Sequence, residues 1–128
     1  MVILKRNAQV SETFKLGKEK ISVNFDAMKI VREFGEKYKT LAEAEKKAIE
    51  AVGTKNSEKI FEAYGEAIFE IMDLFFGKEI RERIVAYYEN NYIDMTQIIV
   101  PYITNNLLPK VSKILTAQRD MLAKTYGA

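Results

Sequence analysis

The chain contains no cysteine and no histidine. Disulfides, thiolate nucleophiles, Cys/His zinc sites, Ser-His-Asp and Cys-His constellations and the Glu-x-x-His di-iron signature are excluded together by that absence. Glycine is sparse at six residues. Gly17 and Gly77 stand alone, outside any Gly-x-Gly-x-x-Gly or phosphate-loop spacing, so both read as turn or cap glycines and give no nucleotide-binding signal. No Ser-x-x-Lys or Gly-x-Ser-x-Gly pattern occurs either. Long apolar runs are missing too: the longest uncharged stretch, Met95 to Pro109, carries Thr, Gln, Asn and both prolines, and is too short and too polar to span a bilayer. Only three consecutive apolar residues precede Lys5 and Arg6 after the first methionine, which is no secretory signal peptide, so a cytoplasmic location without membrane attachment is expected. No catalytic, cofactor-binding or metal-ligating residue is expected, and the chain does not read as an enzyme.

What is present is a globular balance, with 48% apolar and 30% charged residues in 128. That length predicts a single domain, residues 1–128, able to bury a core without covalent staples. The net charge is +2, but its distribution is uneven. Residues 1–25 hold five basic and two acidic groups, residues 26–95 eleven and fifteen, and residues 96–128 four and one. Basic ends therefore flank an acidic middle. Such a layout suits head-to-tail self-association or docking on a charged partner, so homo-oligomerisation stays open; an ordinary mixed-sign surface is the simpler explanation.

Residues Glu12 to Phe25 repeat with period two. Phe14 and Leu16 precede Ile21, Val23 and Phe25 across a Gly17-Lys18-Glu19 turn, which predicts a β-hairpin within region 1–25. Two strands alone are marginal in water, so the apolar face must lie on helices. Met1 to Leu4 reads as an added edge or as unstructured chain. The helical region, 26–124, begins with a helix capped by Asn24 or Asp26, whose seam is Val31, Phe34, Tyr38, Leu41, Ala48 and Val52. After a Gly53 to Ser57 loop, with Ser57 as N-cap, the stretch to Glu79 divides into two rows. Glu58, Glu62, Glu66, Glu70 and Asp73 form an acidic row; Ile60, Tyr64, Ile68, Ile71 and Phe75 form an apolar one. A short helix follows through Ile80, Ile84, Val85 and Tyr88. Asp94 and Gln97 then make a capping box for the next, with a kink or break expected at Asn105 to Pro109. The last helix would run from Pro109 to about Lys124, with Thr125 to Ala128 fraying. The expected fold is mainly α: an N-terminal β-hairpin packed on a bundle of four or five helices.

The five carboxylates invite a metal-site reading. Steps of four residues place them about 6 Å apart on one diverging row, however, whereas oxygen-only sites need convergent ligands, so a solvated face explains them better. Lys110, Lys113, Arg119 and Lys124, with Lys5, Arg6, Lys15, Lys18 and Lys20, are the nucleic-acid candidates. No helix-turn-helix or aromatic stacking platform accompanies them, and nucleic acid is not the expected partner. Aromatics are more informative. Phe69 and Phe76 fall on or beside the acidic side, and Tyr88 and Tyr92 flank a helix end. Either a partner protein or the hairpin and a later helix must cover them. The candidate partner-binding residues are thus Phe69, Phe76, Tyr88 and Tyr92, with Glu62, Glu66 and Glu70 beside them.

Four segments carry a resemblance: Phe14 to Phe25 (FKLGKEKISVNF), Phe61 to Lys78 (FEAYGEAIFEIMDLFFGK), Ile84 to Met95 (IVAYYENNYIDM) and Ile99 to Pro109 (IVPYITNNLLP). Together they look like a small prophage protein family of Gram-positive bacteria, similar to the tail assembly chaperones of long-tailed phages, with the likeness running from about Phe14 to Lys124. The resemblance implies a non-enzymatic protein of the bacterial host cytoplasm that binds the tape measure protein and helps tail tube subunits polymerise around it. It also implies that this chain is the short form, beside a longer frameshifted product. A structural phage component, such as a connector or minor tail protein, is the first rival expectation, and a DNA-binding regulator the second.

Overall fold

The computed structural model describes residues 1–4 and 8–126. Lys5, Arg6, Gly127 and Ala128, named above as basic or fraying positions, lie outside the described residues. Strands β1 (Gln9–Leu16) and β2 (Glu19–Asp26) pair antiparallel, with Val10 opposite Phe25, Glu12 opposite Val23 and Phe14 opposite Ile21. The two-residue connection places Gly17 at φ +64°, the first turn position of a tight hairpin loop, where a residue with a Cβ is strained. Val10, Leu16, Ile21, Val23 and Phe25 are buried on one face, as the period-two pattern requires. Glu12 shares that face, where Lys110 from the far end of the chain pairs with it. Met1–Leu4 adds no strand and is exposed.

Four helices follow the hairpin. Asp26 caps helix α1 (Ala27–Glu50) by accepting a hydrogen bond from the Met28 amide at 2.9 Å. Of the expected seam, Leu41 and Ala48 are buried and Phe34 is half-buried, but Val31, Tyr38 and Val52 are exposed. Ile30, absent from that seam, is 1% exposed instead. Helix α2 (Ser57–Phe76) starts one residue earlier than expected from a Ser57 cap: Asn56 holds the cap position, and no side chain bonds there. Gly77, at φ +78°, separates α2 from α3 (Lys78–Tyr87).

The last helix is continuous rather than broken. It comprises α4 (Tyr92–Asp94), a π turn (Met95–Ile99), α5 (Val100–Tyr102), a second π turn (Ile103–Leu107) and α6 (Leu108–Tyr126), with right-handed helical backbone at each junction. Its N-cap is Asn91, whose side chain accepts from the Asp94 amide at 3.1 Å, so the expected Asp94/Gln97 capping box is not used. In each π turn the closing bond spans five residues: the Val100 amide donates to Met95 O, and the Leu108 amide to Ile103 O. Each turn ends two residues before a proline. A proline ring collides with the carbonyl four residues back, here Gln97 and Asn105, and widening the preceding turn moves that carbonyl away.

The same two turns keep the helix facing the core. Its buried residues are Met95, Ile99, Ile103, Leu107 and Val111, one every four positions, with Val100 beside them. On a straight α-helix that spacing would drift about 160° around the axis between Met95 and Val111. Two π turns, each absorbing one extra residue, reduce the drift to about 40°. Against this stripe and the hairpin packs α2, the central element, in which Ile68, Ile71 and Met72 are fully buried and Phe75 is 1% exposed. Among the described residues no helix is long and apolar enough to cross a membrane.

Candidate protein-binding surface

The aromatic candidates fall into two internal clusters. Phe76 is 6% exposed, and its ring centroid lies 5.5 Å from Phe14, which in turn meets Tyr102 at 5.8 Å. The hairpin therefore covers Phe76, and the expectation that it faces a partner is corrected. Phe69 is half-buried between the edge of Tyr92, at 5.9 Å, and the Arg81 guanidinium, 4.9 Å above its ring. Arg81 also donates to Asp73 Oδ1 at 2.8 Å, so the last carboxylate of the acidic row is paired within the molecule. Tyr92 lies half-buried on Gly65, edge-on to Tyr64 at 6.2 Å. Its ring is so close that a Cβ built on Gly65 would come within 2.3 Å of Tyr92 Cζ. A helix wheel cannot distinguish these positions from surface ones, because α2 is covered on more than one side.

Tyr88 is half-buried beside Tyr87, with ring centroids 5.0 Å apart, and borders a depression of about 230 Å³ shared with Phe14, Phe76, Ile98 and Tyr102. Burial raises the Tyr88 phenol pKa above its ordinary value, with smaller contributions from Tyr87 and Asp94. Glu62, Glu66 and Glu70 are all exposed, as the row predicts. The structure thus does not bring the seven candidates together as one surface: three carboxylates face solvent and the four aromatics pack within the domain. Among the described residues no group of three acidic side chains is placed to hold a metal ion.

A different surface collects exposed apolar groups. Ile49 and the loop residue Val52, at the end of α1, are 69% and 70% exposed, and Ile93, at the start of the last helix, is 64% exposed. With Phe61 and Ala48 they line an open groove of about 510 Å³, joined by Tyr64, Glu45, Thr96 and Gln97. The Tyr64 hydroxyl donates to Glu45 Oε2 at 3.2 Å. Burial raises the Tyr64 pKa; a bond to Thr96 opposes that and Glu45 adds to it. A polar pair thus lies among apolar walls, and Glu45 is the one charge among the described lining residues. A second depression of about 250 Å³, between α1 and the last helix, shares Glu45 and Thr96 and runs on to Tyr38, Pro101 and Thr104. The trough they form can accept an amphipathic segment: apolar walls for its side chains, and a carboxylate, a hydroxyl and an amide for its polar edge.

Sequence reasoning placed Val52 in the α1 seam and did not single out Ile49 or Ile93. The available signal was the stop of α1 at Glu50, before Gly53: a large apolar residue past a helix end has no seam to join. No protein-family model matches the chain, and no curated protein or solved structure is significantly similar to it.

Proposed function

We propose that this protein is a non-enzymatic phage tail assembly chaperone, which covers apolar stripes of the tape measure protein before tail tube subunits enclose it. The reading draws on the resemblance of the four segments quoted above. The observation that carries it is the groove of Ile49, Val52, Phe61 and Ile93, a helix-sized apolar surface left open at one end of the fold. Three large side chains docking there would each contribute about 1.5–3 kcal/mol if fully buried. The cost of ordering two molecules offsets part of that, leaving a complex that forms and dissociates readily. A chaperone displaced by polymerising subunits needs such reversibility.

The partner-contact residues in this reading are Ile49, Val52, Phe61 and Ile93, in place of the four aromatics expected from the wheel. Co-expression with a tagged tape measure protein tests it. The pair Val52→Asp and Ile93→Asp should reduce capture at least tenfold while the far-UV circular dichroism stays that of the wild type. Equal capture by wild type and variant, or no capture by either, would refute the reading. Mass spectrometry of purified virions separates it from a structural role, since a tail or connector component remains in the particle and a chaperone does not. A regulator would instead bind DNA with an affinity falling steeply as salt rises.

A further inference from the structure

Strand β1 has one partner and one open edge. The sheet holds two strands, and no backbone hydrogen bond joins Gln9–Leu16 to any described residue outside β2. β2 is the strand that lies against α2. The depression of about 230 Å³ beside Tyr88 takes three consecutive residues of β1 into its lining, Phe14, Lys15 and Leu16, together with Ile98, Ile99 and Tyr102 of the last helix. Consecutive strand residues point to opposite faces, so a depression that touches all three runs along the edge of the strand. An unpaired edge of that kind is a template for another extended chain.

Charge defines what such a chain must carry. Lys15 and Lys20 stand directly opposite each other across the hairpin, and Lys18 lies in the turn between them. None of the three forms an ion pair among the described residues: Glu19 pairs with Arg83 and Glu12 with Lys110. Like charges directly opposite destabilise a strand pair, and an acid placed beside Lys15 would relieve that repulsion. The floor of the depression is apolar, with Phe14 against Phe76 and Ile98 50% exposed beside them. Tyr88 and Tyr102, both half-buried, add phenol O–H donors, and no carboxylate is among the described lining residues.

We infer that the edge of β1 takes an extended segment of another protein as a third strand, with an acidic residue beside Lys15 and a large apolar residue on each side of that acid. The register dictates the order. On an added strand, the residue opposite Lys15 shares the outer face with its ammonium; the two neighbouring residues share the inner face with Phe14 and Leu16, over the depression. Main-chain hydrogen bonds supply affinity, and the alternation of apolar, acidic and apolar side chains supplies selection. The β1 edge of a second copy is a poorer occupant, because it carries lysine where an acid is wanted. This site shares no lining residue with the Ile49/Val52/Phe61/Ile93 groove and does not depend on the proposed function.

Random octapeptides displayed on phage and selected against the immobilised chain test it. Selection should enrich an Asp or Glu between two large apolar residues. A selected peptide, synthesised with a fluorescein label and titrated by anisotropy, should bind the Lys15→Glu variant about tenfold more weakly while far-UV circular dichroism stays that of the wild type. A peptide with lysine in place of its acid should recover that loss on the variant. N-methylation of alternate peptide amides should abolish binding for one set, whose N–H groups face β1, and spare it for the other. Binding should also survive Val52→Asp with Ile93→Asp, which separates this site from the groove. No enrichment, a motif without the acid, apolar residues at helical three-four spacing, indifference to Lys15→Glu, equal tolerance of both methylated sets, or loss of binding in the groove variant would each overturn the inference. A motif copied from this chain would make the occupant a second copy and overturn it as well. Loss of tape measure capture with peptide binding intact would instead count only against the proposed function.

Discussion

Gly65→Ala is expected to destabilise the protein in the wild-type background and to stabilise it once Tyr92 is removed. Alanine in place of a helical glycine normally adds about 1 kcal/mol of stability. Here the new methyl would lie 2.3 Å from Tyr92 Cζ and 2.6 Å from its hydroxyl oxygen, so the ring must swing out. Displacing it loses edge-on contacts with Tyr64 at 6.2 Å and Phe69 at 5.9 Å. At about 0.5–1.5 kcal/mol per aromatic pair, plus re-exposure of the ring, the loss exceeds the propensity gain and leaves about 1–2 kcal/mol of net destabilisation. In a Tyr92→Ala background no ring stands in the way, and the same change should add about 1 kcal/mol. Urea titrations of the four proteins, followed by far-UV circular dichroism, read this as a reversal in the direction of the midpoint shift at constant slope. The coupling between the two sites should be about 2–3 kcal/mol. Equal destabilisation by Gly65→Ala in both backgrounds would refute the packing account, and stabilisation in the wild type would show that the ring moves without cost.

Phe76→Ser should cost about 3–5 kcal/mol and lower the urea midpoint sharply, as expected for a ring buried against Phe14, whereas an unchanged midpoint would return Phe76 to the surface. Glu89 holds φ +52°, a left-handed conformation that costs a residue with a side chain about 1 kcal/mol, so Glu89→Gly should stabilise by about that amount in the same titration. Burial raises the phenol pKa values of Tyr64, Tyr88 and Tyr102 above 10.0. The unfolded chain therefore ionises first, and the contribution of these groups is full below pH 10 and lost as pH climbs through their folded values. Tyr102→Phe should make that alkaline decline shallower, and an identical decline would refute its share.

Much of the fold was legible in local patterns. Period-two alternation placed Ile21, Val23 and Phe25 on the buried face of the hairpin, and Asp26 was readable as a cap because its side chain can reach an amide two residues on. The two rows of α2 were likewise visible. Their limit was the assumption of one covered side: the hairpin reaches round to Phe76 and the last helix to Phe69, so residues bordering the acidic row are enclosed as well. Pro101 and Pro109 pointed to an interruption, and each is instead absorbed by a wider turn. The four-residue spacing from Met95 to Val111 carried that information, since a straight helix could not have buried all five residues on one side. The candidate groove was less legible, because Ile93 lies far along the sequence from Ile49 and Val52 and the three become a surface only when two helix ends meet.

The two π turns also set a phase. Upstream of Val111 the azimuth of the helix is locked to the core; downstream it is fixed only by counting residues at about 100° each. Inserting one alanine after Ser112 would leave the body intact yet swing Leu115 and Leu122 by a quarter turn or more. Any partner that grips both the body and that tip would then meet them out of register.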